Sequence, residues 1–208
     1  MTQARRKRNA RGSGSMLRDE ILSATTVLID NVAASEADIT LRSIARAAGI
    51  AAPSVYAHFA DLSAILSAVI ERSWQEVVDQ ITTRADGGDL PRERLLRGCR
   101  AYVAFAQRFP LRYAMMTQAS AGAPAAARSL EVLTRGLEQC CDPAHRPTRK
   151  AQARIAAGLS TALHGVAMLH RTDVPTLWLS DVSPDEVIRT IVDSAIEQQN
   201  RQSLSRSG

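Results

Sequence analysis

Apolar residues recur at every third or fourth position along most of this 208-residue chain, which is the period of amphipathic α-helices. The first stretch of this kind places Leu17, Ile21, Ala24, Leu28 and Val32 on one side of a helix. Strands of alternating Val, Ile and Thr, separated by hairpin turns, are missing from the sequence. The pattern therefore predicts an all-α protein of about nine helices.

Capping residues and prolines indicate where most of the helices begin. Thr40 is a suitable N-cap for a short second helix that Gly49 ends, and Asp61 caps a long fourth helix. Between them, Pro53 opens a third short helix that runs to Phe59. The same signals place a fifth helix from Pro91, a sixth from Pro110, a seventh from Pro124, an eighth over 148–171 and a ninth from the cap Ser183 to about Gln199.

The positive charge of the chain is concentrated near its N-terminus. Residues 1–18 hold six basic residues and no acidic one, whereas the rest of the chain carries 20 basic and 21 acidic residues. Residues 1–15 are polar and contain Gly and Ser, so we expect a flexible basic arm over this segment. Such an arm suits a polyanion, either in the minor groove of DNA or along its phosphates. Its candidate DNA contacts are Arg5, Arg6, Lys7, Arg8 and Arg11.

Several classes of protein are excluded by what the sequence lacks. No apolar run reaches the ~20 residues that a bilayer span needs, and no hydrophobic segment follows the basic start as in a secretory signal. A cytoplasmic protein without membrane contact is therefore expected. The three cysteines, Cys99, Cys140 and Cys141, form no C-x-x-C pair, which indicates reduced thiols rather than a structural zinc site.

Motifs typical of enzymes are also missing. The sequence has no G-x-S-x-G, Walker A, H-E-x-x-H or G-x-G-x-x-G pattern, so neither catalytic residues nor a cofactor are predicted. His164 and His170 face different sides of the eighth helix, so they cannot share a metal ion. His145 lies near Cys140 and Cys141, which suggests metal or redox sensing, although coincidence is the simpler explanation. We expect a protein that is not an enzyme and holds no metal.

Residues 40–59, TLRSIARAAGIAAPSVYAHF, combine two short helices with a tight turn. Ala45 allows the helices to approach closely, and Gly49 supplies the positive φ that ends the first of them. An apolar wedge between the helices consists of Ile44, Ile50 and Val55. The outer face of the second helix stays free, which predicts a helix-turn-helix whose second helix enters the major groove of DNA.

The order of these residues resembles the N-terminal domain of TetR-family transcriptional regulators. The similarity covers about residues 16–72. Its most specific part is Ala48-Gly49-Ile50, followed at the right distance by Tyr56-x-His58-Phe59. The resemblance implies a three-helix DNA-binding domain followed by a larger helical domain.

The C-terminal half is similar to one subtype of this family's C-terminal domain. The similar segments are residues 105–113 (FAQRFPLRY) and Leu163-His164-Gly165. A tryptophan often precedes the L-H-G of that subtype, whereas this chain has Thr161-Ala162 at that place.

The resemblance implies roles for individual residues of the helix-turn-helix. Thr40, Tyr56 and His58 are expected to hydrogen-bond DNA phosphates, although a structural role in the core is the alternative for Tyr56 and His58. Arg42 is the best candidate for reading a base, because its guanidinium can bridge O6 and N7 of guanine. The predicted DNA contacts of this domain are Thr40, Arg42, Ser43, Ala52, Pro53, Ser54, Tyr56, Ala57 and His58.

Two positions depart from the family pattern. Ala51 stands where the family often has a serine N-cap, and its methyl group weakens the start of the third helix by ~1 kcal/mol. Leu62 replaces a common lysine that contacts phosphate from the start of the fourth helix. The missing charge gives the basic arm more importance for DNA binding.

Dimerisation and ligand sensing are the tasks that the resemblance implies for the C-terminal half. The eighth helix carries small residues that permit close helix approach, namely Ala153, Ala156, Ala157, Gly158 and Ala162. The ninth carries an apolar stripe of Val187, Ile188, Ile191, Val192 and Ala195. A pocket for a mostly apolar ligand is expected among the fourth to eighth helices, with Trp74, Tyr102, Phe105, Tyr113, Met116, His164 and Met168 as its lining. Plain core packing is the alternative for each of these, and Trp178 would either close the pocket or contact the partner subunit.

These expectations combine into one domain scheme and one function. The scheme is a flexible arm over 1–15, a helix-turn-helix domain over 16–62, a helical ligand-binding and dimerisation domain over 63–200 and a disordered tail over 201–208. We predict a one-component bacterial repressor that binds a palindromic operator as a homodimer and is released by a small, mostly apolar ligand. One alternative is a DNA-binding architectural protein that needs no ligand. The other is a helical small-molecule binding module with a degenerate helix-turn-helix, which Ala51 and Leu62 suggest.

Overall fold

The computed structural model describes residues 14–87, 90–118, 124–142, 146–169 and 182–204. These residues form nine α-helices and no strand, which confirms the predicted all-α class. The helices are α1 (Gly14–Asn31), α2 (Leu41–Ala47), α3 (Ala52–Val55), α4 (Leu62–Ala85), α5 (Pro91–Arg108), α6 (Pro110–Gln118), α7 (Pro124–Gln139), α8 (Arg149–Leu169) and α9 (Pro184–Leu204), with a short 3-10 helix over Glu36–Asp38. None of the described helices is both long enough and apolar enough to cross a membrane.

Two compact units, Met1–Val69 and Ile70–Gly208, divide the chain within α4. The sequence places the end of the helix-turn-helix domain earlier, at residue 62. In the first unit α1 packs on α2, and α2 packs on α3. The almost completely buried apolar side chains of this unit include Ile21, Leu22, Ile29, Ile39, Ile44, Val55, Ile65 and Val69. Val32 is 68% exposed, contrary to the helical pattern, and lies just after the end of α1 at Asn31.

The central helix of the second unit is α5, which contacts α6, α7, α8 and α9. The main core cluster around it includes Leu95, Leu96, Cys99, Val103, Leu137, Ile155, Leu159, Leu163, Ile188 and Val192. Two glycines allow neighbouring helices to approach α5 or its side chains closely. A Cβ on Gly98 would lie 3.0 Å from Cγ2 of Ile81, and one on Gly136 would lie 3.1 Å from Cδ1 of Leu95. A larger residue at either position would require the facing side chain, Ile81 or Leu95, to move.

Two arginines of α5 bind aspartates of α9. Arg92 donates to both carboxylate oxygens of Asp193, at 2.6 and 2.7 Å, and Arg100 forms the same two-pronged pair with Asp185. These hydrogen bonds lower the pKa of both aspartates. Because the pairs are partly exposed, they contribute little to stability, but they fix the register of α9 along α5.

Proline and capping signals start the helices where the sequence predicts. The first residues of α5, α6, α7 and α9 are Pro91, Pro110, Pro124 and Pro184. Oδ1 of Asp61 accepts a hydrogen bond from the amide of Ala64 at 2.8 Å, which confirms Asp61 as the cap of α4. The Ser183 hydroxyl accepts from the Glu186 amide, and the Glu186 carboxylate accepts from the Ser183 amide at 2.9 Å. This reciprocal pair is the capping box that opens α9.

Candidate DNA-binding surface and ligand cavity

The start of α2 is held by a capping box between Thr40 and Ser43. Oγ1 of Thr40 accepts a hydrogen bond from the Ser43 amide at 3.1 Å, and Oγ of Ser43 accepts one from the Thr40 amide at 2.9 Å. The Ser43 hydroxyl also lies 3.0 Å from the carbonyl oxygen of Asp38, to which it can donate. The first turn of α2 is therefore fixed, and Arg42 projects from it with an exposed side chain.

Gly49 ends α2 in a Schellman motif. Its φ of 66° is the positive value that glycine adopts without strain, as the sequence predicts. The amide of Ile50 donates to the carbonyl of Ala45 at 3.0 Å, and the amide of Gly49 donates to that of Arg46 at 3.2 Å. This turn brings α3 across α2 within a few residues.

Helix α3 is shorter than the sequence predicts. It ends at Val55, so the expected continuation to Phe59 is wrong. The amides of His58 and Phe59 both lie 3.0 Å from the carbonyl of Val55 and donate to it. The chain thus forms a turn after Val55, and α4 begins shortly afterwards at Leu62.

Ala51 occupies the N-cap position of α3 and makes no side-chain hydrogen bond there. Ala51→Ser is expected to raise the free energy of unfolding by ~1 kcal/mol, because the serine Oγ accepts a hydrogen bond from an amide of the first turn. Urea unfolding of both proteins measures the difference. Ala51→Val is the control, since it enlarges the side chain without adding an acceptor. An equal gain from valine would contradict the capping argument.

The outer face of α2 and α3 carries the predicted DNA contacts. Thr40, Arg42, Pro53, Tyr56 and Ala57 are exposed, whereas Ser43, Ala52, Ser54 and His58 are half-buried. Tyr56 is 60% exposed although Val55 and Phe59 on either side are at most 5% exposed. Tyr56 is therefore not a core residue, and its ring and hydroxyl are available to a partner.

Two further arginines of the first unit, Arg18 and Arg46, lie in different surroundings. The Arg18 guanidinium in α1 lies 4.7 Å from the ring centroid of Phe59, a cation–π contact inside the folded unit. Arg46 is exposed on α2, one helical turn after Arg42. Sequence reasoning missed Arg46, although the four-residue spacing from Arg42 places both on one face of the helix. Leu62 is half-buried and gives the start of α4 no positive charge.

Several residues singled out in the sequence lie outside the described residues. They are the basic arm residues Arg5, Arg6, Lys7, Arg8 and Arg11, together with His145, His170 and Trp178. The roles assigned to them stay predictions.

The second unit contains a cavity of about 500 Å³ lined by α4, α5, α7 and α8. Its apolar lining consists of Ile81, Leu95, Cys99, Leu130, Val132, Leu133 and Leu163, among others. Its polar lining consists of Thr82, Asp86, Arg94, Tyr102, Ser129, Arg135, Gln139 and Ser160. The volume lies in the range of pockets that hold small organic ligands.

Among the predicted ligand-binding residues, Tyr102 belongs to the lining of this cavity, and Trp74, Phe105, Tyr113, Met116, His164 and Met168 do not. Trp74, Phe105, Tyr113 and Met116 are buried in a separate apolar cluster, against which Met168 packs. Residues of this size and polarity occur both in packed cores and in pocket walls. The sequence pattern alone therefore does not distinguish a core residue from a pocket-lining residue.

A chain of hydrogen bonds joins the cavity to this cluster. The hydroxyls of Tyr102 and Tyr113 are 2.7 Å apart, and the Tyr113 hydroxyl lies 2.6 Å from Nδ1 of His164. Burial raises the pKa of both tyrosines, so both hydroxyls keep their protons at neutral pH. The hydrogen bonds between these three side chains can therefore point in either direction, depending on whether Nδ1 of His164 accepts or donates.

Arg112 is a buried charge that sequence reasoning did not identify as structural. It is 4% exposed and donates to a carboxylate oxygen of Glu76 at 2.7 Å. Its guanidinium lies 4.9 Å from the ring centroid of Phe105 and 4.1 Å from that of Phe109. The position of Arg112 in the FAQRFPLRY segment, between aromatic residues, is the signal that could have revealed this role.

The described cysteines are protonated thiols at neutral pH. Burial raises the pKa of Cys99 to about 12 and that of Cys140 to about 11. Metal binding and rapid oxidation both require the thiolate. Within the described ranges, no group of three or more His, Cys, Asp or Glu side chains is placed to hold a metal ion.

Part of the sequence matches a known family model, and the fold is similar to several solved structures. Residues 95–195 match the family model described as "Tetracyclin repressor-like, C-terminal domain". A protein of unknown function from Rhodococcus sp. RHA1 is 22% identical, with a TM-score of 0.72 over 96% of this chain and 100% of that chain. A TetR-family transcriptional regulator from Streptomyces coelicolor is 16% identical, with a TM-score of 0.62 over 92% and 89% of the two chains. RolR in complex with resorcinol is 16% identical, with a TM-score of 0.64 over 92% and 97%. Among curated protein sequences, none matches this chain.

The matched C-terminal region includes both segments that the sequence pattern singled out, residues 105–113 and Leu163-His164-Gly165. In the first unit, the helix-turn-helix geometry agrees with the resemblance of the N-terminal residues to the DNA-binding domain of TetR-family regulators. Residues 95–195 are therefore similar to a tetracyclin-repressor-like C-terminal domain, and the chain has the fold of solved TetR-family transcriptional regulators.

Proposed function

We propose that the protein is a one-component repressor that acts in the cytoplasm as a homodimer on a palindromic operator. A small, mostly apolar ligand releases it from this operator. The observation that carries the proposal is the exposed outer face of the helix-turn-helix, on which Tyr56 and Arg42 are accessible while Phe59 is buried. An accessible tyrosine hydroxyl suits a phosphate contact, and an accessible guanidinium suits a guanine edge.

The surfaces of α8 and α9 support the homodimer. Ala153, Ala157 and Gly158 of α8 are exposed although they carry no polar group, and Val187 and Ile191 of α9 are only half-buried. A second copy of these helices would cover them, and the small residues of α8 would let the helix axes approach closely. A twofold dimer presents two helix-turn-helix units to DNA, which requires a palindromic site.

The cavity in the second unit supports control by a ligand. RolR, which shares the fold, was solved with resorcinol, a small aromatic compound. Ile81 and Thr82 of α4 line the cavity here, and α4 begins at Leu62 in the first unit. A ligand that shifts α4 would change the spacing between the two helix-turn-helix domains of the dimer. The change would favour release of the protein from the operator.

A footprint on the DNA that flanks the protein's own gene, repeated over a series of salt concentrations, tests the proposal. A protected palindrome that persists at physiological salt is expected, because specific base contacts survive when phosphate contacts are screened. Random DNA of equal length is the control. Equal, salt-sensitive protection of both DNAs would overturn the repressor and favour an architectural protein.

Removal of residues 1–11 tests the contribution of the basic arm. The logarithm of operator affinity is expected to fall less steeply with the logarithm of salt concentration, by about one unit of slope for each phosphate that the arm neutralises. Filter binding over the same salt series measures the slope. Replacement of the arm's basic residues by glutamine should match the deletion. An unchanged slope in both variants would show that the arm does not bind DNA.

A further inference from the structure

The cavity lining includes a positive charge that forms no ion pair with an acidic side chain of the described residues. Arg94 of α5 is half-buried in the cavity lining, and its Nε atom is buried without a hydrogen-bond partner. In the part of the chain that the structure describes, no acidic side chain forms an ion pair with it. A buried donor without an acceptor costs free energy, which a ligand that supplies the acceptor recovers on binding.

The other charges near the cavity are engaged or exposed. Arg92 belongs to the pair with Asp193 described above, and Arg135 donates to Glu131 at 3.0 Å with 64% of its side chain exposed. Asp86, the acidic residue of the lining, is exposed just after the end of α4. Arg94 is therefore the group that would attract an anion into the cavity rather than to its rim.

We infer that the ligand is an organic acid with a single carboxylate on an elongated apolar body, and that this carboxylate binds Arg94. The inference rests on the proposed ligand-binding function and names the chemical class of its ligand. A carboxylate matches the planar fork of a guanidinium with two parallel hydrogen bonds. One unpaired guanidinium balances one negative charge, which favours a monocarboxylate over a phosphate ester or a diacid.

The shape of the α5 wall sets the length of the ligand. Arg94, Gly98 and Tyr102 line the cavity on successive turns of α5, so Arg94 and Tyr102 are about 12 Å apart along the helix axis. Gly98 places no side chain between them, and Leu133 and Leu163 provide apolar surface from the facing helices. The Tyr102 hydroxyl already bonds that of Tyr113, so this end of the cavity suits an uncharged part of the ligand.

Calorimetric titration of the full chain with octanoate, octanol and cinnamate tests the inference. Octanoate and octanol have the same apolar chain, so their difference isolates the carboxylate, while cinnamate tests an aromatic body. The wild type is expected to bind at least one of the two acids, and octanoate about tenfold or more tightly than octanol. Arg94→Gln is expected to weaken the binding of the acids by about ten- to a hundredfold and to leave octanol unchanged. Arg94→Lys keeps the positive charge but lacks the planar fork of the guanidinium. Its affinity for the acids should lie between those of the wild type and Arg94→Gln.

Arg97→Gln is the matched control, since it removes an exposed arginine of the same helix, α5, that does not line the cavity. It should leave the affinity for the acids unchanged, and thermal unfolding of each variant reports whether it folds. Wild-type binding of neither acid, equal affinity for octanoate and octanol, or unchanged acid binding by folded Arg94→Gln would overturn the inference. These titrations contain no DNA, so a failed operator footprint overturns the repressor and leaves this result standing.

Discussion

Gly158→Arg is expected to separate the homodimer into monomers and to lower operator affinity by at least about a hundredfold. Gly158 is exposed on α8, and a Cβ at this position would meet no atom within 4 Å in the same protomer. The arginine therefore fits a single protomer, and it removes the helix penalty of glycine, about 1 kcal/mol. In the proposed interface it becomes an unpaired charge, which costs about 3–5 kcal/mol. Sedimentation equilibrium measures the dimer, and the operator footprint measures DNA affinity.

Ala127→Arg is the control for this substitution. Ala127 is exposed on α7, away from the helices proposed to dimerise, so the same charge added there should leave both the dimer and the footprint intact. If Gly158→Arg remained a dimer of normal stability, the small-residue face of α8 would not be the interface. A dimer that persisted with weakened DNA binding would contradict the link between association and operator affinity.

Arg42→Ala is expected to relax base preference at one position of each half-site by about 1–3 kcal/mol. Arg42 is exposed in the first turn of α2, where the capping box of Thr40 and Ser43 holds the backbone in place. A fixed backbone gives the guanidinium one approach to a guanine edge. Competition between the natural operator and single-base variants measures the preference. A uniform decrease in affinity over all variants would show instead that Arg42 contacts a phosphate.

Tyr56→Phe is expected to lower the affinity for operator DNA and for random DNA by the same factor. The change removes the hydroxyl and keeps the ring. The loss of one hydrogen bond should cost about 0.5–1.5 kcal/mol of binding free energy. Because Tyr56 is 60% exposed, the fold should be unaffected, which thermal unfolding checks. A decrease confined to the operator would assign Tyr56 to a base rather than to a phosphate.

The helix boundaries were the most predictable feature because their causes are local. Proline at the first helical position, the Ser183 cap and the positive φ of Gly49 each depend on a residue's own backbone preferences. The same reasoning was wrong for α3. It ends at Val55, and residues 55–59 contain no glycine or proline that would mark this end in the sequence.

The helix-turn-helix was more predictable than the cavity for a similar reason. A helix-turn-helix is a short continuous segment, so its motif carries its own geometry. The cavity is assembled from four helices that are distant in sequence. Apolar and aromatic residues occur in both packed and open regions, so Trp74 and Phe105 in the core cluster could not be distinguished from the cavity lining by residue type.

By itself, the sequence determined the all-α class, most helix starts, the turn at Gly49 and the resemblance that the C-terminal match confirms. These follow from backbone preferences and from the period of apolar residues. Tertiary structure alone decided that Tyr56 is exposed and that Arg112 lies buried against two aromatic rings. It also decided that Arg94 lines a cavity, with its Nε buried and without a hydrogen-bond partner among the described residues. The reason is that burial and charge pairing depend on side chains brought together from separate helices, and a linear pattern does not record which helices meet.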